Sequence, residues 1–428
     1  MTRTRLDALI CEQEGLESLT RADIRRIQLE RLNALLARER ERGGFYSGLP
    51  ARLDALAELS ELPFTTQTEL AENAGAMLLC SQSEVQRVIS DVTSGTTGIG
   101  KRVFYTRADC ERTVRLFMAG LGELIFPGGR TLICMPFSGQ FGLGELIAEA
   151  VSRLGASPIR AGAQLSYLEL SELMRAERPD SFVGMPVQLL SLLRVCGRGS
   201  LERALVSADA CPEGVISEAE KLLGSRLFPH YGSREMGLGG AVCCPAHEGM
   251  HLRENHIIAE IIDENGRQAP VGEYGELVIT TIGMDAIPLI RYRTGDRTRI
   301  LPQPCPCGSE LIRLDRVRRE TASCMESFDN RVFADALIVD YTAAYRDERY
   351  IINALTLGEY EPSELFKSVF GENTELHRRA VCQQAVGVKV IFQPPHPAHR
   401  AAGPRAAQFQ IPAQVAFHPR HQLDGAEG

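Results

Sequence analysis

VTSGTTGIGKR, residues 92–102, is the stretch on which the reading of this chain turns. Gly95, Gly98 and Gly100 carry no Cβ, so the backbone can turn tightly there and approach an anion. Thr93, Ser94, Thr96 and Thr97 supply hydroxyl donors, and Lys101 adds a point charge. The stretch follows the strand-like EVQRVIS and precedes the strand-like VFYT, and its composition suits a polyphosphate cradle. The GK[ST] ending and following helix of a Walker loop are missing, so that type of nucleotide site is excluded. A surface turn rich in glycine and threonine would look similar in isolation, and the case rests on what surrounds the loop.

Upstream, residues 1 to about 80 read as helical, with apolar positions three and four apart in DIRRIQLERLNALLARERER. Downstream, the short apolar runs TLICMP, SFVGMP, RALVSAD and SRLFPHY alternate with helix-like segments such as GELIAEAVSRLG and PVQLLSLLRVC. That alternation predicts a wound α/β sheet. HIIAEIIDENGRQAPVGEYGELVITTI then predicts two strands joined by an Asp/Asn/Gly turn, the start of a mostly β subdomain. After the CPCG turn, YIINALTL, PSELFKSVFGENTELHRRAVCQQ and VGVKVIFQ alternate between strand and helix patterns and predict a small α+β unit. The expected division is a large domain over 1–315, a small lid over 316–395 and a flexible Pro/Ala/Arg-rich tail over 396–428.

At 428 residues the chain exceeds the roughly 250–300 at which single cores stop growing, in keeping with more than one unit. A hydrophobic fraction of 44%, a charged fraction of 24% and a net charge of -8 describe a soluble globular protein with no electrostatic reason to bind nucleic acid. No stretch reaches the ~20 apolar residues that cross a bilayer, and the early acidic residues argue against a signal peptide. The expected compartment is the cytoplasm, with no membrane partner. Most of the twelve cysteines stand singly in apolar segments, as reduced core residues do.

The loop is one of an ordered series: LPFTTQTEL (62–70), the loop itself, SADA (207–210), Tyr231-Gly232-Ser233-Arg234-Glu235, GEYGELVITT (272–281) and PLIRYRTGD (288–296). The series resembles the adenylate-forming superfamily of acyl-CoA synthetases, peptide-synthetase adenylation domains and luciferases, and within it the phenylacetate-coenzyme A ligases. The resemblance implies a large N-terminal domain of wound α/β sheets plus a β subdomain, closed by a small α+β lid. It also implies a site. Thr93 to Gly98 and Lys101 hold the ATP phosphates, and Ala208, Asp209, Tyr231, Gly232 and Ser233 line the adenine. Glu235 carries Mg²⁺, for which a hard carboxylate oxygen is apt. Asp296 accepts from the ribose hydroxyls, and Arg313 joins the nucleotide set. Glu235, Lys101 and Thr97 are the expected catalytic groups, and Phe137, Phe141 and Gly142 border the acid.

The implied activity is ATP-dependent formation of an acyl adenylate from a small aromatic carboxylic acid, with AMP released on transfer to coenzyme A or to a carrier-protein thiol or amine. A homodimer is compatible with it. Cys244, His251, Cys305 and Cys307 match a metal knot of many relatives and imply a closed structural Zn²⁺ site, with Cys243 and His247 as competing ligands. The resemblance fails at the lid. The RG segment expected beyond Arg316 is missing, and no lysine follows Lys389, so the adenylation lysine has no counterpart. Arg405 is a partial substitute at best, because a planar fork differs from a compact ammonium. The alternative is a nucleotide- or carboxylate-binding protein that has lost turnover.

Overall fold

Short runs that alternate between two buried faces become strands here, and each S/T-x-x-D/E tetrad ahead of a helical run starts a helix. Thr20 with Asp23, Thr66 with Glu69, Thr106 with Asp109 and Ser166 with Glu169 each form reciprocal capping boxes. The computed structural model describes residues 4–90, 101–208, 211–319, 323–346, 349–357 and 387–388.

Its centre is an eight-stranded sheet. Five strands, Ser157–Arg160, Arg130–Ile133, Ser181–Gly184, Arg203–Val206 and Phe228–Tyr231, run parallel in that spatial order. Ala241–Cys243, Met250–Leu252 and Arg313–Leu314 extend the sheet antiparallel. Side chains alternate across it: Ile133, Val183 and Leu205 enter one core, and Leu132, Phe182 and Ala204 enter another. The expected alternation of strands and helices is thus present from residue 130 to residue 231.

A four-stranded sheet follows, with Ile257–Ile262 antiparallel to Gly275–Thr281 as expected, then Tyr292–Thr298 and Arg318–Arg319. The loop at 92–100 lies outside the described residues, but the strands that carry it, Val85–Ser90 and Arg102–Thr106, pair antiparallel with Ser90 opposite Arg102. The expected helix at 362–384 and the tail also lie outside the described residues.

The segment expected as a lid contributes the helix Ser323–Val332 and the paired strands Ile338–Arg346 and Arg349–Thr356. Val332, Phe333, Ile338, Val339 and Ala354 share one buried core with Leu189, Leu193 and Val215 of the large domain. Arg194 donates to the carbonyls of Phe333 at 2.7 Å, of Asp335 at 2.9 Å and of Ile338. Ser191 Oγ donates to the Val339 carbonyl at 2.5 Å, and Tyr167 Oη to Asp340 at 2.6 Å. This part of the segment is therefore seated on the large domain.

Arg291 fastens the front of the molecule. It is buried, with a left-handed φ of 49°, and its fork meets Glu260 at 2.9 and 3.1 Å. Nη1 donates to the Ser60 carbonyl at 2.6 Å, and the guanidinium lies 4.1 Å from the centre of the Phe64 ring. Arg291→Met leaves Glu260 buried without its cation, and we expect a loss of about 3–5 kcal/mol in urea unfolding. Arg52→Ala at the surface should change stability by less than about 0.5 kcal/mol. Equal unfolding midpoints for the two variants would contradict this role.

Candidate active site

In an open sheet with parallel strands, ligands bind beyond the carboxyl ends of those strands. Several of the expected site residues that the structure describes fall there. Phe137 follows the strand ending at Ile133, Ala208 follows Val206, and Gly232 to Glu235 follow Tyr231. Ala208 has a φ of 69°, a left-handed conformation that is costly for a residue with a Cβ and is concentrated at binding sites. Asp209 lies outside the described residues, as do Thr93, Ser94, Gly95, Thr96, Thr97 and Gly98.

Glu235 is the electrostatic centre. The residue is 7% exposed, and its Oε1 accepts from Lys101 Nζ at 3.0 Å and from Tyr292 Oη at 3.0 Å. Burial pushes this carboxyl up, but the Lys101 ammonium and the hydrogen bonds outweigh it and hold it below the usual glutamate range. Tyr292 and Asp296 belong to one strand, and Asp296 Oδ2 accepts from Tyr231 Oη at 2.8 Å. The two contacts, Glu235 with Tyr292 and Asp296 with Tyr231, join the parallel sheet to the β subdomain. Between them the strand bulges at Gly295, whose φ is 74° and where a Cβ would meet Gln67 Nε2 at 2.9 Å. Such a bulge re-aims a side chain, here Asp296. LPFTTQTEL docks on the same strand. The Thr65 amide donates to the Arg291 carbonyl at 2.9 Å, the Arg293 amide to the Thr65 carbonyl at 2.9 Å, and Gln67 Nε2 to the Thr294 carbonyl at 2.8 Å.

Other expected residues have mainly packing contacts. The Phe137 ring covers Gly144, where a Cβ would meet it at 2.8 Å, and Gly142 starts the helix Leu143–Arg153. Phe141 packs against the main core. Arg313 stands elsewhere than the resemblance implies. Its buried guanidinium donates to the carbonyls of Glu248 and Gln303, bracing the two loops that bear the cysteines. Arg316, in contrast, donates to the Cys211 carbonyl at 3.3 Å, beside the SADA turn.

His230, Tyr292 and Gln67 were not singled out from the sequence as site residues. His230 Nδ1 pairs with Ser207 Oγ at 2.8 Å, and burial pushes its imidazole down to about 4, so it is neutral at pH 7 and anchors the turn before Ala208. A histidine directly before the Tyr-Gly motif was the available signal.

Cys244, His251, Cys305 and Cys307 place their ligand atoms within 4.8 Å of one another. Cys244 Sγ lies 3.7 Å from Cys305 Sγ, too far for a disulfide, and Cys307 Sγ lies 3.3 Å from His251 Nε2. A tetrahedral site with Zn–S bonds of about 2.3 Å has S···S edges of about 3.8 Å, so this donor set fits that cation. The competing candidates are engaged otherwise: Cys243 Sγ contacts the Cys244 carbonyl at 3.3 Å, and His247 Nδ1 the Leu227 carbonyl at 2.9 Å.

The charge on Glu235 is present above the ordinary glutamate range and is lost only as pH falls through its lowered folded value. Lys101→Met removes the largest opposing influence, so burial prevails and the carboxyl moves above that range. Infrared titration of the carboxylate band, with Glu235→Gln as the assignment control, should show protonation at higher pH in Lys101→Met. An unshifted titration would contradict the pairing.

The family profile of AMP-binding enzymes matches residues 55–284, more than half of the chain. A phenylacetate-coenzyme A ligase of Thermus thermophilus is 29% identical over 327 residues, 72% of this chain and 73% of that protein. One of Aromatoleum evansii is 30% identical over 325 residues, 71% of this chain and 72% of that protein. The crystal structure of 2-hydroxyisobutyryl-CoA ligase in the postadenylation state, in complex with R3-HIB-AMP, matches with a TM-score of 0.68 at 18% identity, over 87% of each chain, a likeness of fold. The chain therefore belongs to the AMP-binding enzyme family, as an adenylate-forming ligase akin to the phenylacetate-coenzyme A ligases.

Proposed function

We propose that the chain uses ATP to convert a small carboxylic acid, aromatic by class, into an acyl adenylate and passes the acyl group to coenzyme A or another thiol or amine, in the cytoplasm. The observation that carries this reading is the convergence of an ionised, buried Glu235, the lysine that closes the Gly/Thr loop, and the Tyr231–Asp296 pair beyond the strand ends. A protein that bound only an organic acid would have no use for this set.

In this reading Asp296 accepts from the ribose hydroxyls, and Tyr231, Gly232, Ser233, Ala208 and Asp209 border the adenine. Thr93, Ser94, Gly95, Thr96, Thr97 and Gly98 surround the phosphates. Glu235 would hold Mg²⁺, which neutralises phosphate charge when bound; its carboxylate has the hard oxygen donors that cation takes. A carboxylate oxygen of the acid bonds to the α-phosphorus as the bond to the bridging oxygen breaks, and pyrophosphate leaves with the electron pair. Little covalent help is needed, so positioning and the cation at Lys101 carry the step. By the resemblance, Phe137, Phe141 and Gly142 would border the ring of the acid.

ATP–pyrophosphate exchange over a panel of aryl and alkyl acids tests this without knowledge of the acceptor. Exchange should require one class of acid and Mg²⁺, and Glu235→Gln should lower it by about 10²–10³-fold with the fold intact. Wild-type exchange rates in Glu235→Gln would sink the assignment.

We also propose that Cys244, His251, Cys305 and Cys307 hold a structural Zn²⁺, and that Arg313 acts as its brace. Protein purified without chelator should contain about one equivalent of zinc. Cys305→Ser and Cys307→Ser should lower the thermal midpoint more than Cys11→Ser, a buried thiol outside the cluster. Metal analysis that finds no zinc in folded, reduced protein would refute the site.

A further inference from the structure

A unit that swings away during turnover must give up everything it is packed against. For the helix Ser323–Val332 and the paired strands Ile338–Arg346 and Arg349–Thr356, that is a core. Val332, Phe333, Ile338 and Val339 are each 0–3% exposed. They lie among Leu189, Leu190 and Leu193 of the helix Pro186–Cys196 and Val215 and Ala219 of the helix Glu213–Leu223. The Arg194 guanidinium that holds the carbonyls of Phe333, Asp335 and Ile338 also lies 5.7 Å from the centre of the Phe333 ring. On separation, water could replace the donors to those carbonyls, but nothing in water replaces the apolar contacts. Domains joined by small polar surfaces move as a matter of course, whereas an apolar joint holds its parts together.

The connection into this unit is held as well. Arg318–Arg319 pairs with the strand Tyr292–Thr298, with Arg319 opposite Asp296. Glu326 reaches back from the helix to Arg316 at 2.7 Å and to Arg318 at 3.6 Å. Arg316 also donates to the Cys211 carbonyl, and Asn330 Oδ1 accepts from the Gly214 amide at 2.8 Å. The unit is thus fastened to the stretch that directly follows the SADA turn. A moving lid needs residues at its base that are free to change φ and ψ. Arg316, Arg318 and Arg319 are instead held in an ion pair or a sheet, and turning the unit about them would disturb the strand that carries Asp296.

We propose that the helix Ser323–Val332 and its two strands are a fixed wall of the large domain and keep their seat through both adenylate formation and acyl transfer. This part of the expected lid then acts as a strut beside the SADA turn, not as a cover that opens and closes. The inference rests on the adenylate-forming reading only for the reaction that is timed.

A Cβ at Gly214 would lie 3.8 Å from the Asn330 Cα, within reach of a disulfide, so Gly214→Cys with Asn330→Cys can lock the joint. With the bridge mapped by peptide mass, the locked protein should carry out pyrophosphate exchange and acyl transfer to coenzyme A within about threefold of the same protein after reduction. A fall of about tenfold or more in either rate, reversed by reductant and absent from wild type treated alike, would overturn the proposal. A second measurement reads the joint without timing a reaction. The chain has no tryptophan, so Phe333→Trp places a single indole there. Its emission and acrylamide quenching should be those of a buried ring in the free protein and remain so with ATP, acid and coenzyme A. An indole open to the quencher in either state would overturn the proposal even where the bridge does not form, and where Phe333→Trp does not fold the bridge decides. Failure of exchange with every acid would count against the adenylate-forming reading alone, and the indole would still decide whether the wall is fixed.

Discussion

A carboxylate taken out of water must be kept ionised by its surroundings, and Glu235 imposes that requirement on three parts of the fold at once. Lys101 comes from the hairpin that bears the Gly/Thr loop, Tyr292 from the β subdomain, and Glu235 from the end of the parallel sheet. If the hairpin or the β subdomain were displaced, burial would prevail and the group would protonate. The packing of the three parts is thus coupled to the charge state of the residue best suited to hold a cation. Breaking a buried pair of this kind costs more than the pair itself contributes, because the remaining charge is left without compensation.

The β subdomain is held to the same standard. The Arg291 fork on Glu260, the carbonyls of Ser60 and Leu62 and the face of Phe64 join the LPFTTQTEL segment to the strand that carries Tyr292 and Asp296. Two segments more than 200 residues apart in the chain, 62–70 and 288–296, are therefore neighbours in space. At the other end, Arg194 ties three carbonyls of residues 333–338 to the large domain. Buried guanidinium groups that satisfy backbone carbonyls recur at each joint, which suits a side chain with five donors in a fixed fork.

Much of this was legible because it is written in residue types that have few other uses. Alternating apolar runs give the parallel strands, and the site follows from where those strands end. Three cysteines and a histidine in two clustered stretches point to the candidate metal site; their ligand atoms lie within 4.8 Å of one another, while Cys243 and His247 contact main-chain carbonyls. The positions of Arg313 and Arg194 were not legible. An arginine bonded to main-chain carbonyls leaves no complementary residue type to find. His230 was missed for a related reason: its role is to hold Ser207, a contact between adjacent strands that has no sequence period. Arg313 was assigned to the nucleotide by alignment with a motif, whereas the pairing of its strand with Met250–Leu252 places it opposite His251.

The central claim is that the carboxylate of an acid becomes bonded to the α-phosphorus of ATP at the site around Glu235. Isotope transfer tests this most directly. Aryl acids carrying ¹⁸O in both carboxylate oxygens, turned over with ATP, Mg²⁺ and coenzyme A, should yield AMP with one ¹⁸O, because the acyl–phosphate oxygen stays with phosphorus when the thiol attacks the carbonyl carbon. Unlabelled AMP, or release of ADP in place of AMP and pyrophosphate, would contradict the account.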